Sequence, residues 1–254
     1  MSDENDESVL VEVRDRVLVV TLNRPSVKNV INTGITNGLR AAVERLNSSD
    51  DLTVAVLTGA GGEFCAGMDL KEFAVSGPPK GITGLLRRGA EKPMVAAIEG
   101  SALGGGLELA LLCDIVVAAD DAQLGLPEVR IGLFPGGGGL LRLPRRLPYG
   151  VAAEAVLTGR PLGAAEAMAH GLVARVVPRG DALSAALSIA DAVAANAPLA
   201  VAASKQLMRL SGDLDEDGFW EAQVPYAQRV FRSKDAVEGP RAFAEKRKPQ
   251  WSGS

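Results

Sequence analysis

What most constrains the fold of this chain is a repeated alternation. Four short apolar runs, at residues 17–23, 54–58, 94–98 and 115–118, are separated by stretches of helical pattern. A strand that is apolar throughout has both faces buried, and helix-linked strands of this kind pair in parallel. The expected fold class is therefore α/β. Residues 9–13 alternate ahead of the first run, and Arg14-Asp15-Arg16 between the two predicts a hairpin. Asn32 or Thr33 is placed to cap a helix over 34–46, with Leu39, Val43 and Leu46 on one face. Beyond residue 148 the pattern turns helical, over 151–157, 164–170, 182–195, 199–210 and 218–231, with one last strand at 172–177. No linker intervenes. We expect a core over 9–195, and a helical region over 196–254 that serves as an appendage or assembly module.

Glycine turns follow several of the apolar runs: Ala66-Gly67-Met68, Gly104-Gly105-Gly106 and Gly136 to Gly139. Neither GxxxxGK[ST] nor GxGxxG is satisfied, which argues against a nucleotide-phosphate loop. Each turn alone is what glycine ordinarily does. Two together can offer two backbone N–H groups to one oxygen, an oxyanion hole. Glu108 lies in the first turn of the otherwise apolar helix after Gly104–Gly106, and Glu128 follows Pro127. Each fits a helix-dipole partner or a proton carrier. Two carboxylates in apolar surroundings have their charged forms disfavoured and can act as acid and base near neutral pH. Asp69 reads as the cap of a helix starting at Leu70, and His170, before Gly171, as a helix-terminal residue.

Other classes are disfavoured. A net charge of −4, from 27 basic and 31 acidic residues, argues against a nucleic-acid binder. A single histidine rules out a histidine-rich metal site, so no metal is expected, and it leaves no credible Ser–His–Asp or Cys–His set. Cys65 and Cys113 make no disulfide scaffold and fit a reduced, cytoplasmic setting. No run is apolar and long enough to span a bilayer. The start, MSDENDESVL, is the reverse of a signal peptide, and a disordered tail is expected over 1–8. The basic end, Arg241 and Lys246-Arg247-Lys248, is a solvated face or a phosphate contact.

The ordered motifs FCAGMDLKEF, IEGSALGGGLELALLCDIVVA and GLPEVRIGLFPGGGGLLRLPR closely resemble the enoyl-CoA hydratase/isomerase (crotonase) superfamily. NRPSVKNVIN and EGPRAFAEKRKPQW resemble it as well, so the likeness runs from Val9 to Trp251. It implies a crotonase-like spiral of ββα units with a C-terminal helical region that builds a homotrimer or a dimer of trimers. It also implies an acyl-CoA thioester as substrate, with no separate cofactor, since coenzyme A is part of that substrate.

By resemblance, the N–H groups of Met68 and Gly105 form the oxyanion hole, although Met68 departs from the small residue common there. Glu108 and Glu128 hold one water. Glu108 acts as base on it and Glu128 handles the proton at Cα, with Gly136 leaving room near the water and Pro127 among the substrate-binding residues. Coenzyme A would lie against Lys28, Val30, Ala66, Gly67, Asp69, Leu70 and Gly104, with Phe243 and Lys246 reaching a neighbouring subunit's CoA. The expected activity is hydration of a trans-2-enoyl-CoA. Alternatives are a Δ3,Δ2-enoyl-CoA isomerase or other enolate chemistry on acyl-CoA, which commonly needs only the carboxylate at Glu128, and a catalytically idle acyl-CoA-binding protein.

Overall fold

The computed structural model describes residues 7–254. Of the tail expected at 1–8, residues 1–6 lie outside the described residues. Glu7 and Ser8 form a turn whose carbonyls accept from the Asn23 side chain (2.9 Å) and backbone N–H (2.7 Å).

The chain runs through β1 (Val9–Arg14), β2 (Val17–Leu22), α1 (Thr33–Ser48), β3 (Val54–Gly59), α2 (Leu70–Ser76), α3 (Ile82–Arg88), β4 (Met94–Ile98), β5 (Ser101–Leu103), α4 (Gly105–Ala110), β6 (Ile115–Ala119) and β7 (Gln123–Gly125). Then come α5 (Gly139–Arg146), α6 (Tyr149–Thr158), β8 (Leu162–Gly163), α7 (Ala164–Ala169), β9 (Arg175–Val177) and the helices α8 (Ala182–Ala194), α9 (Pro198–Leu210), α10 (Glu216–Phe231) and α11 (Lys234–Ala244). His170 caps the C-terminal end of α7, as its position implied.

The main sheet has the order β1-β2-β3-β4-β6-β9, with β1 antiparallel to β2 and every other pair parallel. Its strands explain the unbroken apolar runs. Leu18, Val20 and Leu22 of β2 belong to one buried cluster, whereas Val17 and Val19 belong to another on the opposite face. Each such side chain stabilises the fold by about 1.5–3 kcal/mol relative to exposure. α8 covers the second face with Ala182, Ala186 and Ala190, a four-residue repeat that lets the helix approach closely.

A second, three-stranded sheet, β5-β7-β8, was not expected from the sequence. It sits beside the glycine turns. Two isolated parallel bridges, Ile31↔Met68 and Cys65↔Ala102, hold the 65–69 segment between the loop after β2 and β5. The segment therefore passes directly alongside the start of α4.

Among α9–α11, α10 packs on both of its neighbours. α9 is fastened to the core by Lys205, 3% exposed, which bonds the Lys92 carbonyl (2.8 Å) and the Asp114 carboxylate (2.9 Å). Among the described residues no single helix is long and apolar enough to cross a membrane. α8 and α9 pass that test only as a pair, bent by 111°.

Candidate active site

Three backbone segments converge. The first is Ala66-Gly67-Met68. The Gly67 carbonyl accepts from Ile31 (2.8 Å), and the Ala66 N–H donates to Lys28 (2.9 Å). Gly67 has φ +116°, open to glycine at little cost, and a Cβ there would lie 3.2 Å from the Leu103 carbonyl oxygen. The second is the start of α4. A Cβ on Gly105 would lie 3.8 Å from the Met68 nitrogen, so the Met68 and Gly105 N–H groups are near neighbours. Among the described residues neither N–H meets a protein acceptor. Gly105 opens α4, where the first amides have no intrahelical partner.

The third segment is the Pro127-capped 3₁₀ turn Glu128–Ile131. It brings the Glu128 Oε1 to 3.1 Å from where a Gly104 Cβ would be. Its Oε2 is buried and, among the described residues, has no hydrogen-bond partner. Glu108, 4% exposed on α4, differs. Its Oε1 accepts from the N–H groups of Gly137 (2.7 Å) and Gly139 (2.9 Å).

Burial pushes the Glu108 carboxyl above the usual carboxylate range, and the two amides and the Arg142 guanidinium pull it part of the way back. Burial likewise raises Glu128. Its own backbone amide opposes the shift, and the Glu108 charge adds to it.

The glycine run at 136–139 divides its work in a way the sequence did not reveal. Gly136 stands in open space, with only the Phe134 carbonyl oxygen 4.0 Å from a hypothetical Cβ. Gly137 is the tight position: a Cβ there would lie 2.8 Å from the Glu108 carboxyl carbon, and closer still to Oε2 and to Leu86 Cδ1.

Other expected residues fall around this centre with varied placement. Asp69 caps α2, accepting from Lys71 (3.2 Å) and Glu72 (3.4 Å), and also pairs with Arg24 (3.0 Å). Leu70 is half exposed. Lys28, in a left-handed conformation, pairs with Glu63 (3.1 Å), and the Val30 carbonyl accepts from Arg24 (2.8 Å). Phe243 and Lys246 stand at the end of α11, and Phe243 is 86% exposed; within one chain α11 makes none of the contacts described for the carboxylates.

Sequence reasoning missed three residues. Arg24 braces Asp69 and Val30. Asn29, fully buried, ties Arg24 to Ala60 and Glu63. Arg142 lies against the 137–139 turn. The only signal for the first two was their place within NRPSVKNVIN. Arg130 bonds the Thr158 carbonyl (3.2 Å) at the end of α6.

The arrangement offers two adjacent N–H donors for a developing oxyanion and two raised carboxylates for proton transfer. Comparison with known proteins agrees in kind. Residues 12–254 match the sequence profile described as enoyl-CoA hydratase/isomerase. The chain is 42% identical to enoyl-CoA hydratase EchA19 of Mycobacterium tuberculosis, covering 98% of this chain and 97% of that protein. It is 40% identical to carnitinyl-CoA dehydratase of Proteus mirabilis, covering 97% and 99%. The crystal structure of enoyl-CoA hydratase EchA1 from Mycobacterium marinum superposes with a TM-score of 0.94 at 49% identity, over 97% of this chain and 99% of that one. The chain is an α/β protein of crotonase fold and belongs to the enoyl-CoA hydratase/isomerase family.

Proposed function

We propose that this protein hydrates a trans-2-enoyl-CoA reversibly and syn, giving the 3-hydroxyacyl-CoA. The thioester oxygen accepts from the Met68 and Gly105 N–H groups. Glu108 takes a proton from water as the water oxygen bonds to Cβ. The electron pair of the double bond moves toward the thioester, and the resulting enolate takes its proton at Cα from Glu128. Each oxyanion donor contributes about 10²–10³ in rate.

The observation that carries this reading is the buried Oε2 of Glu128, unpartnered among the described residues, beside a second raised carboxylate and two amides that also lack a partner there. Enolate chemistry without water needs only one such carboxylate. The dehydratase relatives fit as well, since loss of water from an acyl-CoA is the same reaction run backwards.

Coenzyme A enters as part of the substrate, and no metal or further cofactor takes part. Lys28, Val30 and Ala66 contact its nucleotide end, with Gly67, Asp69, Leu70 and Gly104 nearer the thioester. Gly136, in open space, leaves room at the reacting carbon. α9–α11 build a homotrimer, alone or doubled, in which Phe243 and Lys246 reach a neighbour's CoA. The exposed Trp220, Phe231, Val237 and Phe243 support that assembly, and native mass spectrometry reads it directly.

The test of the reaction is turnover on trans-2-enoyl-CoA esters of increasing chain length, following loss of the conjugated enoyl-thioester absorbance. Wild type is expected to consume at least one chain rapidly. Glu108→Gln and Glu128→Gln are each expected to lose about 10²–10⁴ in rate. Full activity of Glu108→Gln sinks the assignment. No loss on any chain, with turnover of a 3-enoyl-CoA, replaces hydration by isomerisation; tight CoA binding with no turnover at all indicates an idle binding protein.

A further inference from the structure

Arg142 takes no part in the proposed chemistry, yet it is built into the site. From α5 its side chain folds back over the 136–139 turn. One guanidinium nitrogen donates to the Gly137 carbonyl at 3.2 Å, and another donates to the Leu86 carbonyl in the last turn of α3. Gly138 makes room for it. That residue has φ +101°, and a Cβ there would lie 3.2 Å from the guanidinium carbon and closer to a nitrogen. The N–H of the same Gly137 is one of the two donors to Glu108. One cation therefore grips the turn that holds the carboxylate and the helix whose Leu86 borders it.

The position is a costly one for a cation. Burial, then Arg209 of α9, and then Arg146 and Arg145 of its own helix push the guanidinium downward, and the Glu108 charge opposes them. A merely structural brace across two carbonyls would not need a charge facing three others.

We propose, resting on the hydratase reading, that Arg142 is a positioning residue for Glu108. It fixes the Gly137–Gly139 turn and the end of α3 around the carboxylate, so that two amides hold Oε1 and Oε2 is left for the reacting water. Among the described residues the charge that acts on Glu108 is Arg142 from α5, and the Glu108 charge in turn raises Glu128 of the 3₁₀ turn.

The test compares wild type, Arg142→Gln and Arg142→Lys, measuring kcat and KM across pH together with thermal midpoints. For Arg142→Gln the expected result is a kcat loss of about 10–10²-fold, the range for a displaced catalytic group, with KM within about twofold. The acid limb moves to higher pH, because the charge that lowers the Glu108 pKa is gone. Arg142→Lys is expected to return the limb toward wild type while recovering kcat only in part, since one ammonium cannot span both carbonyls as the planar fork does. An unshifted limb in Arg142→Gln overturns the proposal, whether kcat holds or falls together with the thermal midpoint. If wild type hydrates nothing, the hydratase reading fails by itself. NMR titration of the Glu108 carboxyl in wild type and Arg142→Gln then decides the positioning role, and an unchanged pKa refutes it.

Discussion

Gly106 couples the helix of Glu108 to the segment that carries Met68, so Gly106→Ala is a direct probe of the site's construction. A Cβ on Gly106 would lie 2.9 Å from both the carbonyl carbon and the Cβ of Cys65, and closer still to the carbonyl oxygen. Carbon atoms pack at about 3.5–4.0 Å, so the Cys65 backbone or α4 must retreat by about 0.6 Å or more. The obstacle is backbone, which cannot swing aside. The Cys65 carbonyl also accepts from Leu103 (3.0 Å), and the Cys65 N–H donates to Ser101 (2.8 Å), so the retreat loosens the bridge to β5. Met68 is three residues on. Overpacking of this kind costs about 1–3 kcal/mol, or a few degrees of thermal midpoint per kcal/mol in a chain of this size. Misplacing an oxyanion donor by a comparable distance costs up to about 10² in rate. Enoyl-thioester turnover with a parallel melting curve reads both. Gly84→Ala is the control: nothing stands within 4 Å of its Cβ, and in the interior of α3 it should stabilise by about 0.5–1 kcal/mol. A Gly106→Ala protein with wild-type kcat and midpoint would refute the reasoning.

Glu128→Gln should be more stable than wild type at neutral pH although it is inactive. Because the folded pKa is raised, the native carboxylate's contribution is whole below the unfolded value, about 4.3, and is lost as pH rises through the folded one. Melting curves should therefore diverge as pH rises and converge in acid; a constant gap at every pH would contradict this. Lys205→Met leaves Asp114 without its cation at the α9 junction, and should lower the urea midpoint by the equivalent of about 3 kcal/mol, the low end for a broken buried pair because Asp114 is a quarter exposed. An unchanged midpoint would mean that α9 is held by other contacts. Cys65 and Cys113 are fully buried with thiols pushed up to about 12 by burial, so neither should react with a disulfide reagent at pH 8 until the chain is unfolded.

How much of this was legible depended on where the determining atoms lie. The parallel sheet was readable because Leu18, Val19 and Val20 must all be apolar when both faces of β2 are covered. The sheet β5-β7-β8 was not, since its strands are two or three residues long and carry no period. α11 was hidden by Gly239-Pro240 within it. Asp69 was readable as a cap because a cap is local in sequence. The partners of Glu108 were not. They are backbone N–H groups 29 and 31 residues away, and a backbone donor is the same atom in every residue. Only the permissiveness of glycine marked the place, and the run of four did not say which glycine did which task. Arg142 gave no sequence signal because its carbonyl partners, Gly137 and Leu86, leave no trace in composition.

The two carboxylates have the same side chain and are both raised by burial, so their different roles in the proposed reaction must come from their surroundings. Glu108 accepts two amides on one oxygen and lies within reach of a cation, all of which favour its ionised form. It is the better base. Glu128 has one oxygen with no partner among the described residues, and the Glu108 charge beside it makes a second ionisation harder. It is the better holder of a proton. The pair therefore enters the hydration direction with its proton on the Cα side and its charge on the water side, which is the arrangement the reaction needs. In the dehydration direction the two states are exchanged, and the same environments then oppose the starting state. Both directions start from the pair carrying a single proton, and their kcat/KM values are tied by an equilibrium constant that does not change with pH, so on one substrate pair the acid and base limbs of kcat/KM should coincide for hydration and dehydration. Limbs that separate between the two directions would contradict one proton shared by Glu108 and Glu128.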